Sequence, residues 1–391
     1  MPIRSQKSKM IAASLAIAMS MLFTTTFADT SKAKKMYVQS RILMEYKKFN
    51  RALGLLLRSA SMGNSYAQAD LGILFFNGKF LKKDSTEALR WLQKSAEQKN
   101  PRGQLYLGYL YILGQGVKKD NHKGFELVSL SAKQGNAAAQ YRLGKLYSLG
   151  MGTERNDKLA SHYYILAAGK DFKPAFYDAG VSFINGIGVE KNIEKGVQYL
   201  YDAALNKNKK AVSALLQLES TNNPIALFFN AHLYYSGLGV ARDKEKAMRY
   251  YRLSAEKGYS PAEFTIALAY KKGLGVERNE TQAIKWLRAS ASHGYAQAQT
   301  VLARLSLFGT PLVKKDTVKA IALLKLAAKQ NYAVAQYQLG KIYIQGKLVK
   351  RDIKKGLELM KRAAKQGHRK AIILMRSLKA MQKSKLDKNK M

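Results

Sequence analysis

The chain repeats itself every 36 residues, and that period restricts the available folds more than any other feature. Taking Gly114 in the stretch YILGQGVKKD as a reference, equivalent glycines stand at Gly78, Gly150 and Gly186, each 36 positions apart. The spacing widens to 51 at Gly237 and resumes through Gly273, Gly309 and Gly346, with one step of 37. Eight anchors therefore fall into two phased blocks of four.

The residues around each anchor recur with it. Seven positions earlier comes a Leu-Gly or similar pair: Leu71-Gly72, Leu107-Gly108, Leu143-Gly144, Ala179-Gly180, Asn230-Ala231, Ile266-Ala267, Leu302-Ala303 and Leu339-Gly340. A small second member lets two helix backbones approach closely. Three positions before most anchors stands an aromatic (Phe75, Tyr111, Tyr147, Phe183, Tyr234, Tyr270, Tyr343), which at helical spacing reads as core. Six or seven positions after the anchor comes Asp or Asn (Asp84, Asp120, Asn156, Asn192, Asp243, Asn279, Asp316, Asp352), suited to capping a second helix. Small residues and bulky pairs follow at i, i+3, i+4 and i+7, for example Ala160, Tyr163-Tyr164 and Ala167-Ala168, the stripe of an amphipathic helix. Many of these helices end at a glycine turn, as at Gly135, Gly258, Gly294 and Gly367. Each unit is thus helix A, a loop, helix B and a short turn, with helices of about 13 residues and 20 Å. Such helices are too short to stand alone, and stacking supplies their continuous core.

Glycines beside lysines in YILGQGVKKD raise the question of a phosphate cradle. The loop follows a helix, whereas a phosphate-binding loop follows a strand and opens directly into a helix. The second glycine is also replaced by Phe80, Pro311 and Leu348 in three units. The stretch reads as an inter-helix turn.

The unit AAAQYRLGKLYSLGMGTERNDKLASHYYILAAGKD, residues 137–171, and its sisters resemble the Sel-one-like repeat, a relative of the tetratricopeptide repeat with a longer inter-helix loop. The resemblance covers about Ser65 to His368 and implies an all-α, right-handed α-solenoid of about eight helix-loop-helix repeats with end caps. Residues 29–64 keep Ala52, Leu55, Leu56 and Ala60 without the glycine loop and read as a tetratricopeptide-like capping hairpin. Four repeats are expected over 65–208 and four over 223–368. Between them the extra segment, 209–222, reads as one unpaired helix and hinge dividing two subdomains near residue 222. Residues 369–391 are expected to form a capping helix to about Lys379 and a frayed basic tail.

MPIRSQKSK followed by MIAASLAIAMSMLF and TTTFAD has the basic, apolar and small-residue segments of a secretory signal peptide, residues 1–28. Its apolar run is shorter than the ~20 residues that span a bilayer, so export to the periplasm or beyond is expected, with no transmembrane helix after cleavage. The chain contains no cysteine, which excludes disulfides and a lipoprotein anchor and leaves stability to packing. Of its 67 Lys and Arg, Arg4, Lys7 and Lys9 fall in the leader, so 64 remain against 26 Asp and Glu, a net charge of +38. That field favours acidic partners: acidic proteins, anionic lipid or lipopolysaccharide. Nucleic acid is not expected for an exported chain.

No residue set proposes catalysis. His122, His162, His232, His293 and His368 occupy different places in the repeat, so stacking does not gather them, and no metal-ligand spacing or nucleophile signature is present. No cofactor is expected. Some cysteine-rich exported relatives are linked to penicillin binding or β-lactam hydrolysis; without their cysteines, a cell-wall or β-lactam-acting enzyme ranks last. The periodic feature open to function is a basic ridge in the stacked loops: Lys82, Lys83, Lys118, Lys119, Arg155, Lys191, Arg242, Arg278, Lys314, Lys315, Lys350 and Arg351. The expected function is an exported, non-catalytic scaffold whose A helices and basic loops engage protein partners at the bacterial envelope or in a host. Peripheral binding to anionic lipid or lipopolysaccharide is the alternative.

Overall fold

A computed structural model describes residues 30–388, with side chains to 378. The expected signal peptide lies outside the described residues. Two compact units divide after Ala203. The first contains α1 (30–45), α2 (Phe49–Ser61), α3 (Ser65–Asn77), α4 (Ser85–Glu97), α5 (Pro101–Leu113), α6 (Asn121–Lys133), α7 (Ala137–Leu149), α8 (Asp157–Ala168), α9 (Ala175–Asn185) and most of α10 (Ile193–Leu205). The second contains α11 (Lys209–Gln217), a 3-10 turn (Leu218–Thr221), α12 (Pro224–Ser236), α13 (Lys244–Glu256), α14 (Ser260–Lys272), α15 (Glu280–Ser292), α16 (Ala296–Phe308), α17 (Thr317–Lys329), α18 (Ala333–Gln345), α19 (Ile353–Lys365) and α20 (Arg369–Lys388). The described residues form an all-α solenoid without strands.

Two boundaries differ from the sequence reading. The division falls after Ala203 rather than near residue 222, because the extra helix α11 and its 3-10 turn pack onto α12 and open the second unit. The last helix continues to Lys388 instead of stopping near Lys379; the intervening sequence has no glycine or proline to end it.

Each repeat is built by three local devices. The anchor glycine ends helix A in the left-handed region, at φ 66° for Gly114. The Asp or Asn at the far end of the loop caps helix B: Asp120 accepts from Lys123 N at 2.9 Å and Asn156 from Leu159 N at 2.9 Å. The same cap residue donates its own N–H back to helix A, from Asp120 to the Tyr111 carbonyl at 2.9 Å and from Asp243 to that of Tyr234 at 2.9 Å. One residue thus starts one helix and ties it to the end of the other. The small residues then let the pair close. A Cβ added at Gly340 would lie 2.9 Å from the Gly356 carbonyl oxygen.

The two helices of a repeat are joined by polar links. Helix B serines reach the carbonyl at the start of the preceding helix A: Ser95 to Ser65 at 2.7 Å, Ser131 to Pro101 at 2.6 Å, Ser254 to Pro224 at 2.6 Å and Ser290 to Ser260 at 2.6 Å. Glutamines 30 or 31 positions apart also pair, as Gln98 with Gln68 at 2.8 Å and Gln134 with Gln104 at 2.7 Å. These bonds satisfy buried polar groups and fix the register in which apolar residues such as Leu92, Leu110, Leu143 and Leu146 pack. Helices A of adjacent repeats also touch, α3 against α5 and α16 against α18.

Candidate interaction surface

All twelve residues of the expected basic ridge are exposed. Lys82, Lys83, Lys118, Lys119, Arg155 and Lys191 belong to the first unit, and Arg242, Arg278, Lys314, Lys315, Lys350 and Arg351 to the second. Within the first unit the loops are in direct contact with the repeat before them. Gly116, at φ 71°, sits so tightly on the first turn of α4 that a Cβ there would lie 2.5 Å from the Ser85 carbonyl oxygen. The second loop glycine, which sequence reasoning treated as dispensable, is therefore required there by close approach.

The twelve side chains separate into two chemical groups. The residue directly before each cap packs its stem beside the anchor glycine, as Lys119 does at Gly114 and Arg242 at Gly237. Where that residue is arginine, its head is engaged locally. Arg242 Nε donates to the Tyr235 carbonyl at 3.0 Å and Arg351 Nε to that of Ile344 at 3.2 Å, placing positive charge at the negative end of helix A. Arg155 forms a two-bond pair with Asp157 at 3.0 and 3.1 Å, and Arg278 pairs with Glu280 at 2.6 Å. This position serves the fold. Lys82, Lys118, Lys314 and Lys350 stand one residue earlier and are exposed, with no ion pair among the described residues.

More of the basic charge is answered inside the repeat. Lys123, Lys246 and Lys355, in the first turns of α6, α13 and α19, lie over the recurring aromatic: 4.5 Å from Tyr111, 4.2 Å from Tyr234 and 4.7 Å from Tyr343. On the A helices, Asp70 is held by Arg41, Arg102 and the Tyr37 hydroxyl. Asp178 accepts from Lys145 at 2.8 Å and from Tyr141 at 3.0 Å. Burial and the Asp178 carboxylate raise the Tyr141 phenol well above its ordinary value.

The histidines remain dispersed, as their repeat positions imply. His122 is 3.7 Å from Glu126, and His368 stacks on Tyr337 at 4.5 Å. His293 contacts the buried Glu263 at 2.9 Å, a pair that sequence reasoning missed. The signal was present: Glu263 and His293 occupy the glutamine positions of the link between the two helices of a repeat. Among the described residues no group of three His, Asp or Glu could hold a metal ion, and no helix is long and apolar enough to cross a membrane.

The second unit holds one further feature. A cavity of about 230 Å³ lies between α14, α15, α16 and the loop of the seventh repeat. Its walls are mainly apolar, including Phe264, Leu268, Ile284, Leu305, Pro311 and Leu312, with Lys271 and Glu280 the charged residues lining it.

Capped helix pairs, a left-handed glycine at each anchor but one, and polar links across each pair define an α-solenoid of helix-loop-helix repeats. The Sel1 repeat family model matches residues 65–100, 101–136, 137–172, 175–208, 224–259, 260–295, 296–332 and 333–368. The chain belongs to the Sel1 repeat family. Among solved structures it is similar to a Sel1 repeat protein from Oxalobacter formigenes, at 29% identity over 83% of this chain and 89% of that one, with a TM-score of 0.41. It is also similar to c5321, a protective antigen present in uropathogenic Escherichia coli strains displaying an SLR fold, at 26% identity over 89% of this chain and 79% of that one, with a TM-score of 0.42. No curated protein matches the chain significantly. Sel1 repeat proteins are generally protein-interaction scaffolds.

Proposed function

We propose that this chain is an exported scaffold that binds acidic protein partners through the loop faces of its repeats. The observation that carries the reading is the set of exposed loop lysines, Lys82, Lys118, Lys314 and Lys350, on a chain with 67 basic and 26 acidic residues. The pre-cap basic residues are explained by helix termination, whereas these four have no such local employment. Short capped loops hold the backbone of these lysines in place before binding, and the lysines steer an acidic partner by a field that salt screens.

The test is recovery of partners by the intact chain from its own cells, crosslinked at low and at high ionic strength, beside a chain with all four lysines changed to glutamate. Partners that appear only at low salt and vanish with the four changes support the proposal. Equal recovery in every condition removes the electrostatic mechanism. Adsorption to anionic but not neutral vesicles, with no protein partner, replaces the reading with envelope binding. Cell fractionation that leaves the chain in the cytoplasm removes export.

A further inference from the structure

We propose that the cavity under the seventh-repeat loop is a docking pocket for one large apolar side chain of a protein partner, flanked in that partner by carboxylates. The inference rests on the scaffold reading and gives it a location.

The pocket arises from a departure confined to this repeat. In five other repeats a second loop glycine lets the turn settle against the helix before it, as Gly116 does on α4 and Gly275 beside Met248 of α13. Here Pro311 replaces that glycine and the loop is one residue longer. The anchor Gly309 is also not in the left-handed helical region, having φ 74° and ψ 152°. The longer turn holds a shape of its own: Thr310 N donates to the Val313 carbonyl at 2.8 Å and Val313 N to that of Thr310 at 3.2 Å. Arg288 fastens it to α15 through the Leu312 carbonyl at 2.9 Å. The loop therefore roofs the space between the helices without filling it.

The lining and surroundings select the occupant. An apolar void is poorly hydrated and gains by accepting an apolar group. Phe308 is 79% exposed at the entry to this loop and Val318 82% exposed just beyond it, apolar groups available to the residues around a partner's anchor. Glu280 is already paired with Arg278 at 2.6 Å. The uncompensated charge is therefore basic, from Lys271 and Lys272 at the end of α14 and Lys314 and Lys315 after the loop. A partner segment with a Phe, Leu, Met or Trp anchor beside Asp or Glu matches both.

The experiment selects displayed random peptides on the intact chain and measures the selected peptides against wild type, Val301→Phe, Leu312→Ser, Lys271→Glu and the distant Lys118→Glu. Support is a selected pattern of one large apolar residue beside acids, with about tenfold weaker binding to Val301→Phe and to Leu312→Ser. Support also includes a several-fold loss in Lys271→Glu and none in Lys118→Glu. Leu312→Ser alters an exposed loop and guards against a folding defect in Val301→Phe, which circular dichroism checks. Peptides weakened by Lys118→Glu but indifferent to the cavity variants overturn the pocket and leave the scaffold reading standing. Failure to select any peptide at low salt overturns both. If anilinonaphthalene sulfonate binds at the cavity but no selected peptide displaces it, the peptide proposal also falls and the pocket is assigned to a small apolar anion.

Discussion

Glu263 is 2% exposed, and His293 is the hydrogen-bonding partner of its carboxylate. Removing that partner while the acid stays buried costs more than the pair itself contributes. His293→Ala is therefore expected to lower stability by about 2 kcal/mol. The double change Glu263→Gln with His293→Gln, which restores the link seen between Gln98 and Gln68, is expected to stay within about 1 kcal/mol of wild type. Urea unfolding of His293→Ala and of the double variant checks both values; equal losses in the two contradict the coupling. His232 supplies a pH dependence, since burial lowers its pKa below the ordinary value of 6.5. Above that value both folded and unfolded chains hold it neutral. As pH falls through it the unfolded chain takes the proton first, so stability declines toward acid. A His232→Leu variant is expected to show a shallower decline in urea midpoint below pH 6.5; an unchanged slope removes the assignment.

The loops and turns show how far local sequence speaks for an element. All eight caps were legible, because Asp or Asn at a helix start has one well-defined use. The anchor glycines were legible for the same kind of reason. Positive φ at Lys99, Asp171, Lys207 and Asn331 was not, since these residues stand where Gly135, Gly258, Gly294 and Gly367 mark the turn openly and carry no glycine to announce it. The second loop glycine misled in the opposite direction. Substitution at Phe80, Pro311 and Leu348 suggested freedom, yet each sits in a different setting. Phe80 stacks on Phe49 at 4.2 Å, Leu348 is exposed, and Pro311 borders the cavity. Gly116→Val meets both a positive φ and the Ser85 backbone and is expected to cost about 2 kcal/mol or more. Hydrogen exchange should show the loss concentrated at the α5–α6 loop and the start of α4. A uniform loss across the unit speaks against the close approach as its cause.

At the scale of the whole molecule, the period made the architecture readable before any contact was known, whereas the division of the chain was not. The 51-residue step marked an extra helix but not which block it would join, because that depends on which neighbour buries Ala211, Val212 and Leu215. The cavity was equally hidden: it results from an approach that Pro311 prevents, which no pattern of present residues displays. Each unit has hydrophobic clusters of its own, so calorimetry of the intact chain is expected to resolve into two transitions. A single transition with matching calorimetric and van't Hoff enthalpies contradicts that division.

The serine and glutamine links within the repeats join residues 30 or 31 positions apart. Their short reach sets an order of assembly as well as a stability. Low contact order favours fast folding, and each helix pair needs only its own two helices to find these bonds. A growing chain of this kind is completed from its leading end, much as masonry is laid course upon course. The last repeat synthesised has little influence on whether the first is already standing.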